Sequence, residues 1–156
     1  MPDLFPATIR AVVDVNLLVR GTLSLTGGSA LLIQLLKQRQ FLPITSRQYL
    51  HEIYRVLGYP RLLRHHRITR RQRQHLVTTL YDRSVWVETT GSLKMCRDPK
   101  DDYLLEMALV GHATHVVTED DDLHDDLDIV AFLDQRSIQL VHLGEFLAVL
   151  RGNPEI

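Results

Sequence analysis

The stretch Arg10-Ala11-Val12-Val13-Asp14-Val15-Asn16, near the start of the chain, predicts a strand followed by an acidic residue. Its apolar, β-branched run is typical of a strand buried on both faces of a parallel sheet. Asp14 follows where this strand ends, and in open parallel sheets ligands bind outside the carboxyl ends of the strands. Asp14 is therefore a candidate site residue, although an aspartate here also suits the N-cap of a helix.

A second stretch repeats this design in the C-terminal half. Ala113-Thr114-His115-Val116-Val117-Thr118 predicts another buried strand, which runs into Glu119-Asp120-Asp121-Asp122. Two strands that each end on acidic residues favour one shared site at the sheet edge over two unrelated helix caps.

Strand and helix patterns alternate along the rest of the chain. A loop is predicted over 21–28, helices over 29–39, 45–57, 70–82 and 144–150 with one more opening at 98, and strands over 41–44, 85–89 and 138–142. Ser29 is the predicted N-cap of the first of these helices, and Pro43 favours an edge position or an early end for its strand. The alternation predicts a three-layer α/β/α sandwich with a mostly parallel central sheet.

Length and composition predict one soluble domain over 1–156, with its core over about 10–150. The chain has 156 residues, 45% of them hydrophobic and 24% charged, which is typical of a globular protein. The single cysteine, Cys96, excludes an internal disulfide and a cysteine-rich zinc site. The sequence shows neither a membrane-spanning apolar run nor a signal peptide, so we expect a cytoplasmic protein without a membrane partner.

Charge is segregated along the chain, although the net charge is only −1. Six arginines fall within 61–73, whereas 98–134 holds twelve of the nineteen acidic residues and one base, Lys100. A solvated helix surface or a protein-docking face accounts for the basic block as well as a nucleic-acid contact does. Clustered carboxylates, however, repel one another unless a positive group joins them, so at least one of them should have a raised pKa.

Helical spacing separates the acidic residues that point towards the sheet from those that do not. Apolar residues follow Asp101 at three, four, seven and eight positions, which places Asp101 along the buried face of its helix and turns Asp102 and Glu106 away from it. Glu52 lies at the edge of the apolar face of the helix over 45–57.

Four carboxylates therefore converge at one end of the predicted sheet, with Asp98 and Asp122 close by. They are Asp14, Glu52, Asp101 and Asp120. Neither strand end contributes histidine or cysteine, so the ligands are oxygen atoms and the matching cation is Mg²⁺ or Mn²⁺. Such a metal activates water and offsets charge on a phosphoryl group.

Other acid-rich α/β enzymes fit less well. A haloacid-dehalogenase-like phosphatase needs a second aspartate where Asn16 stands. A response-regulator receiver needs an acid pair at the first strand and an aspartate that ends the third, and neither fits. No phosphate-binding glycine loop is present. Instead, four segments together resemble the PIN-domain (PilT N-terminus) family: 13–18, 46–57 with Glu52, 97–102 and 117–123. The resemblance extends from Arg10 to about Leu150.

The resemblance implies a metal-dependent single-strand ribonuclease, often the toxin of a toxin–antitoxin pair. It gives catalytic roles to Asp14, Glu52, Asp101 and Asp120, metal ligation to Asp14, Asp101, Asp120 and Asp122, and supporting roles to Asn16, Thr118 and Asp98. Position 119 departs from the family pattern because Glu119 adds a charge there. A cognate antitoxin and a second copy of the chain remain open as partners, and a non-catalytic RNA-binding or adaptor module is the alternative function.

Two further residue sets complete the predictions. Arg64, Arg67 and Arg71 are expected to contact the RNA backbone, because an acidic catalytic face needs a basic surface nearby to bind a polyanion. Trp86 is expected to pack in the core or at a sheet edge, since one aromatic residue alone does not make a stacking platform.

Overall fold

Five short parallel strands form the centre of the fold in a computed structural model, which describes residues 8–66 and 68–152. The strands are β1 (Arg10–Val13), β2 (Leu42–Thr45), β3 (Val85–Trp86), β4 (His115–Val117) and β5 (Gln139–Val141). Their order across the sheet is β3-β2-β1-β4-β5, and every neighbouring pair is parallel. The predicted parallel sheet is confirmed.

Helices connect the strands and cover the sheet. In the described residues they are α1 (Val15–Leu23), α2 (Gly28–Lys37), α3 (Arg47–Leu57), α4 (Pro60–His66), α5 (Arg70–Arg83), α6 (Asp102–Val110), α7 (Asp121–His124), α8 (Leu127–Asp134) and α9 (Leu143–Leu150), with a 3₁₀ turn at Pro99–Asp101 before α6. α1 packs against α2 and α3, and α3 packs against α5. α6 lies over β1, β2 and β4, and α8 lies against β5. This is the predicted three-layer α/β/α sandwich.

The strand order reverses direction between β1 and β4. From β1 the chain proceeds outward to β2 and β3 on one side, and later to β4 and β5 on the other. Such a reversal opens a crevice at the carboxyl ends of the two central strands, where ligands bind in open α/β sheets. Val13 pairs with Val117 in the register, so Asp14 and Thr118 stand side by side at this crevice.

The first helix is where the sequence-based prediction is wrong. The segment from Gly21 to Leu23 belongs to α1 rather than to a loop, and Ser29 lies buried within α2, whose N-cap is Gly27. Close packing of the two helices explains both errors: a Cβ atom added to Gly21 would lie 2.3 Å from the carbonyl oxygen of Ser29. Gly21 therefore permits a helix contact instead of ending a helix.

Pro43 lies in an interior strand, which corrects the expected edge position. In β2 the backbone N–H of Leu42 donates to the Ile9 carbonyl on the β1 side (2.9 Å), so the next residue, Pro43, presents its nitrogen to the β3 side. β3 pairs only with Ile44 and Thr45. The missing N–H of Pro43 thus falls where β3 offers no partner.

Two predicted helix starts are confirmed by their capping bonds. The Ser46 hydroxyl accepts from the backbone N–H of Tyr49 (3.1 Å) at the start of α3. Thr69 and Gln72 form a reciprocal capping box at the start of α5. Among the described helices, none has the length and apolarity needed to cross a membrane.

We predict that Gly21→Ala destabilises the protein by about 1–3 kcal/mol, because the new methyl group overpacks the α1–α2 contact. Gly144→Ala is the matched control, since nothing lies within 4 Å of an added Cβ atom in the first turn of α9. That change should leave the free energy of unfolding unchanged or raise it by up to about 1 kcal/mol. Urea unfolding of both variants measures the difference, and equal stabilities would contradict the packing described for Gly21.

Candidate active site

An acidic cavity of about 470 Å³ opens at the carboxyl ends of β1 and β4. Its lining includes six carboxylates and two cations: Asp14, Glu52, Asp98, Asp101, Glu119, Asp120, Arg20 and Lys100. The four predicted catalytic residues therefore share one cavity. Each of these four is partly buried, whereas Asp98 and Glu119 are exposed at the rim.

Thr118 joins the acids that follow the two central strands. Its hydroxyl donates to Asp14 Oδ2 (2.8 Å) and accepts from the backbone N–H of Asp120 (3.1 Å). Asp14 Oδ1 accepts from the backbone N–H of Asn16 (3.0 Å), so Asp14 also caps α1. Capping and lining the cavity are thus roles of the same side chain, through different oxygen atoms. The predicted supporting residues Asn16 and Thr118 both contact Asp14 directly.

Burial and neighbouring charges both disfavour the charged form of Asp101. Burial, followed by the charges of Asp120, Asp98 and Asp14, raises its pKa from 3.8 to about 6. The expected raised carboxylate pKa is therefore confirmed. Asp101 stands at the start of α6 but makes no side-chain capping bond there; Asp98 caps the preceding 3₁₀ turn through the backbone N–H of Lys100 (3.0 Å).

Two tyrosine hydroxyls support the acidic residues: one binds Glu52 and the other binds the residue before Asp14. The Tyr103 hydroxyl donates to Glu52 Oε2, and burial together with this carboxylate raises the pKa of Tyr103. The fully buried Tyr49 donates from its hydroxyl to the Val13 carbonyl, at the last residue of β1 before Asp14. Burial, then the charges of Asp14 and Glu52, raises the pKa of Tyr49, so its hydroxyl keeps its proton as a donor.

The acidic run after β4 divides between the cavity and the protein surface. Asp120 lines the cavity and accepts from the backbone N–H of Asp122 (2.9 Å). Glu119 is at the rim and accepts from the backbone N–H of Leu143 (2.6 Å), which begins α9. The exposed Asp122 is the predicted metal ligand that the structure does not bring into the cavity lining, since its carboxylate faces Arg97 (3.8 Å).

The donor set of the cavity suits a hard divalent cation, because its side-chain ligands are carboxylate oxygens that repel one another. Over 8–66 and 68–152, however, no three acidic, histidine or cysteine side chains already stand close enough to hold an ion together. Mg²⁺ keeps several of its waters and takes one or two protein carboxylates directly. The cavity therefore fits an ion bound partly through water rather than one enclosed by protein ligands.

The acids that were predicted to point away from the sheet are also fixed by the fold. Glu106 is buried and accepts from the backbone N–H of Gly91 (3.1 Å) and from that of Thr90. Asp102 accepts from the backbone N–H groups of Met95 (2.9 Å) and Cys96 (2.7 Å), which lowers its pKa despite some burial. Neither lines the acidic cavity, and both bind the loop over 90–96; Glu106 is buried, which corrects the expectation that it points away from the buried face of its helix.

Sequence reasoning missed four residues around the acids: Arg20, Lys100, Tyr49 and Tyr103. Arg20 was detectable, because it follows Asn16 by four residues and so shares its helix face. Tyr49 was assigned only to the apolar face of its helix, and its hydroxyl contact with Val13 joins elements that no local pattern relates.

The arginine block lies elsewhere on the surface. Arg64 and Arg71 are exposed, and neither lines the acidic cavity or the groove beside it. Arg67 lies outside the described residues. Arg73 instead stacks on the Tyr54 ring, with its guanidinium carbon 3.4 Å from the ring centroid.

Comparison with protein families gives one match: the family model for the PIN domain covers residues 10–122, well over half of the chain. No curated protein and no solved structure matches the chain. The matched range contains Asp14, Glu52, Asp101, Asp120 and Thr118.

We predict that Asp101→Asn stabilises the protein at pH 7. The folded-state pKa of about 6 lies above the ordinary value of 3.8, so the folded protein holds this proton more tightly than the unfolded chain and loses stability as pH rises through that window. The asparagine variant avoids this loss. We therefore expect its free energy of unfolding at pH 7 to be higher by about 1 kcal/mol, after allowance for solvent screening. Urea unfolding in EDTA should show an advantage at pH 7 that shrinks towards pH 4.

Asp128→Asn is the control, because Asp128 is exposed on α8 outside the cavity. A pH-independent difference between wild type and Asp101→Asn would contradict the repulsion described for Asp101.

Proposed function

The chain belongs to the PIN domain family, and we propose that it is a metal-dependent ribonuclease that hydrolyses phosphodiester bonds in single-stranded RNA. Members of this family are generally nucleases. The observation that carries the proposal is the single cavity shared by Asp14, Glu52, Asp101 and Asp120, all partly buried at the crevice between β1 and β4.

Asp14, Asp101 and Asp120 would hold Mg²⁺ or Mn²⁺, partly through water molecules of the ion. Asp122 joins them only if its carboxylate turns away from Arg97, which now lies 3.8 Å from it. A bound divalent ion lowers the pKa of its water and offsets negative charge on phosphoryl oxygens. The raised pKa of Asp101 is consistent with this assignment, because burial and then the neighbouring carboxylates cause it, and a cation would offset both effects.

The other residues of the cavity position the reacting groups. Thr118 holds Asp14, and Tyr103 occupies Oε2 of Glu52, which leaves Oε1 to accept a hydrogen bond from the attacking water. Arg20 and Lys100 contact the phosphate and reduce its repulsion from the six carboxylates. A phosphodiester, which is itself negatively charged, requires such cations in a cavity of this charge.

A toxin role, with a cognate antitoxin and a cytoplasmic setting, is a finer proposal that rests on the resemblance to toxin ribonucleases. A homodimer belongs to the same proposal. Co-purification of the chain with the product of a neighbouring gene, and growth arrest on expression without it, test the toxin role. Expression that leaves growth unaffected while RNA cleavage persists would contradict it.

We also propose that Arg64, Arg67 and Arg71 contact RNA beyond the cavity, because Arg64 and Arg71 are exposed and lie outside the cavity lining. Their joint replacement by alanine should weaken the binding of long RNA at every sequence and flatten its salt dependence by about 0.7 in log–log slope for each phosphate that is no longer neutralised. Short oligonucleotides should bind as before. Unchanged affinity for long RNA would assign the block to protein docking or to solvation.

We predict that Asp14→Asn lowers the rate of RNA cleavage in Mn²⁺ by about a hundredfold or more, a reduction expected when a charge-stabilising group is removed. Asparagine can still accept the capping bond from Asn16, so the free energy of unfolding should change by less than about 1 kcal/mol. Asp128→Asn, with the same charge change on exposed α8, should cleave like wild type. Cleavage of a labelled RNA pool measures all three proteins.

Asp122→Asn in the same assay decides whether Asp122 is a ligand; we expect its activity to be retained, because its carboxylate lies outside the cavity lining. RNA binding without cleavage by the wild-type protein would favour the non-catalytic RNA-binding module. If the Asp14→Asn variant does not fold, Asp14 is a structural helix cap rather than a catalytic residue.

Metal should also stabilise the folded protein. A site that binds only the native state adds RT ln(1 + [L]/Kd), about 2.7 kcal/mol at a hundredfold excess of Mn²⁺ over Kd. Thermal unfolding with and without Mn²⁺ should show this gain in wild type and Asp128→Asn, and little of it in Asp120→Asn. Equal gains in all three proteins would place the metal elsewhere.

A further inference from the structure

A second, larger cavity of about 840 Å³ adjoins the acidic one, between α3 and the end of β3. We call it the α3–β3 groove, defined by Arg47, His51 and Arg55 on one side and Trp86 on the other. Glu52, Lys100 and Tyr103 line both cavities, so the groove borders the acidic cavity along these residues. A polymer that enters the acidic cavity therefore has a path along the groove.

The charge of the groove differs from that of the acidic cavity. Arg47, His51 and Arg55 are spaced by four residues and form one exposed row along α3. Together with Lys100 the lining holds three permanent cations against two carboxylates, Glu52 and Glu88, whereas six carboxylates face two cations in the acidic cavity. A polyanion is thus attracted to the α3–β3 groove rather than to the acidic cavity beside it.

Trp86 offers an aromatic surface at the far side of this groove. It is the last residue of the edge strand β3, as expected for sheet-edge packing, yet 44% of its surface is exposed. Its indole N–H donates to the Tyr81 carbonyl (3.0 Å), and the Tyr81 ring meets it edge-on at 5.1 Å between centroids. The polar atom of the ring is therefore already bonded, and the exposed part of the ring is available to another partner.

We propose that the α3–β3 groove binds the RNA strand beside the cleaved bond, with one unpaired base stacked on Trp86 and the adjoining phosphates on Arg47 and Arg55. The inference that this RNA continues from the groove into the acidic cavity rests on the proposed ribonuclease function. Stacking on an aromatic ring accepts any base, and guanidinium groups suit phosphate contact. One tryptophan suffices here because the cationic row supplies the remaining affinity.

The test uses Trp86 as its own probe, because it is the single tryptophan of the chain. Short homo-oligoribonucleotides of each base, labelled for anisotropy, are titrated in EDTA against an abasic strand of equal length. We expect at least one base-bearing strand to quench the tryptophan emission as it binds, and the abasic strand to bind more weakly without quenching. Saturated binding with unchanged emission, equal quenching by the abasic strand, or no binding of any strand at low salt would overturn the proposal.

Variants separate the base contact from the phosphate contacts. Trp86→Ala should weaken binding of the base-bearing strand about tenfold while leaving that of the abasic strand unchanged, and Trp86→Phe should recover most of the affinity. The double variant Arg47→Ala, Arg55→Ala should weaken the binding of both the base-bearing and the abasic strand, and it should flatten the salt dependence of that binding.

The charge-matched control is the double variant Lys37→Ala, Arg151→Ala, which changes two exposed residues outside the groove. It should bind both strands with the affinity of the wild type. A Trp86→Ala variant that binds both strands like wild type would overturn the proposal and favour a protein partner for the groove. Quenching without metal-dependent cleavage would instead reject the ribonuclease function and retain the groove as a single-strand site.

Discussion

The hydroxyl of Thr118 makes the contact on which the site depends. The register that pairs Val13 with Val117 brings Asp14 beside Thr118, and the strand order reverses at this point in the sheet. The hydroxyl donates to Asp14 and accepts from the backbone of Asp120, so acids 106 positions apart in the chain share one short bridge. The crevice between β1 and β4 follows from topology, and Thr118 sets the acids within it.

Grouping carboxylates at this crevice opposes folding, and the structure offsets the repulsion unevenly. Asp14 and Asp120 each accept a backbone N–H bond at the start of a helix. Asp101 makes no capping bond at the start of α6, and it is the acid whose pKa is raised to about 6. Burial and the charges of Asp120, Asp98 and Asp14 together disfavour the charged form of Asp101, which a bound cation would favour.

Local patterns in the sequence were sufficient for the sheet and for the four acids, because strand ends and helix faces determine where Asp14, Glu52, Asp101 and Asp120 point. They were insufficient where two distant segments meet. Gly21 was assigned to a loop because its packing partner is known only once α1 and α2 are folded together. Trp86 was placed correctly at a sheet edge, but the row on α3 that faces it becomes visible only when β3 is paired with β2.

Paramagnetic broadening by Mn²⁺ can show whether the carboxylates at the β1–β4 crevice bind a divalent cation. In a ¹⁵N-labelled sample at substoichiometric Mn²⁺, the amide signals of residues 14–16, 100–101 and 118–120 should broaden first. Signals from α8 and from residues 70–76 of α5 should stay sharp, and Asp120→Asn should remove the selective effect. Broadening that begins elsewhere, or that survives in Asp120→Asn, would contradict the account.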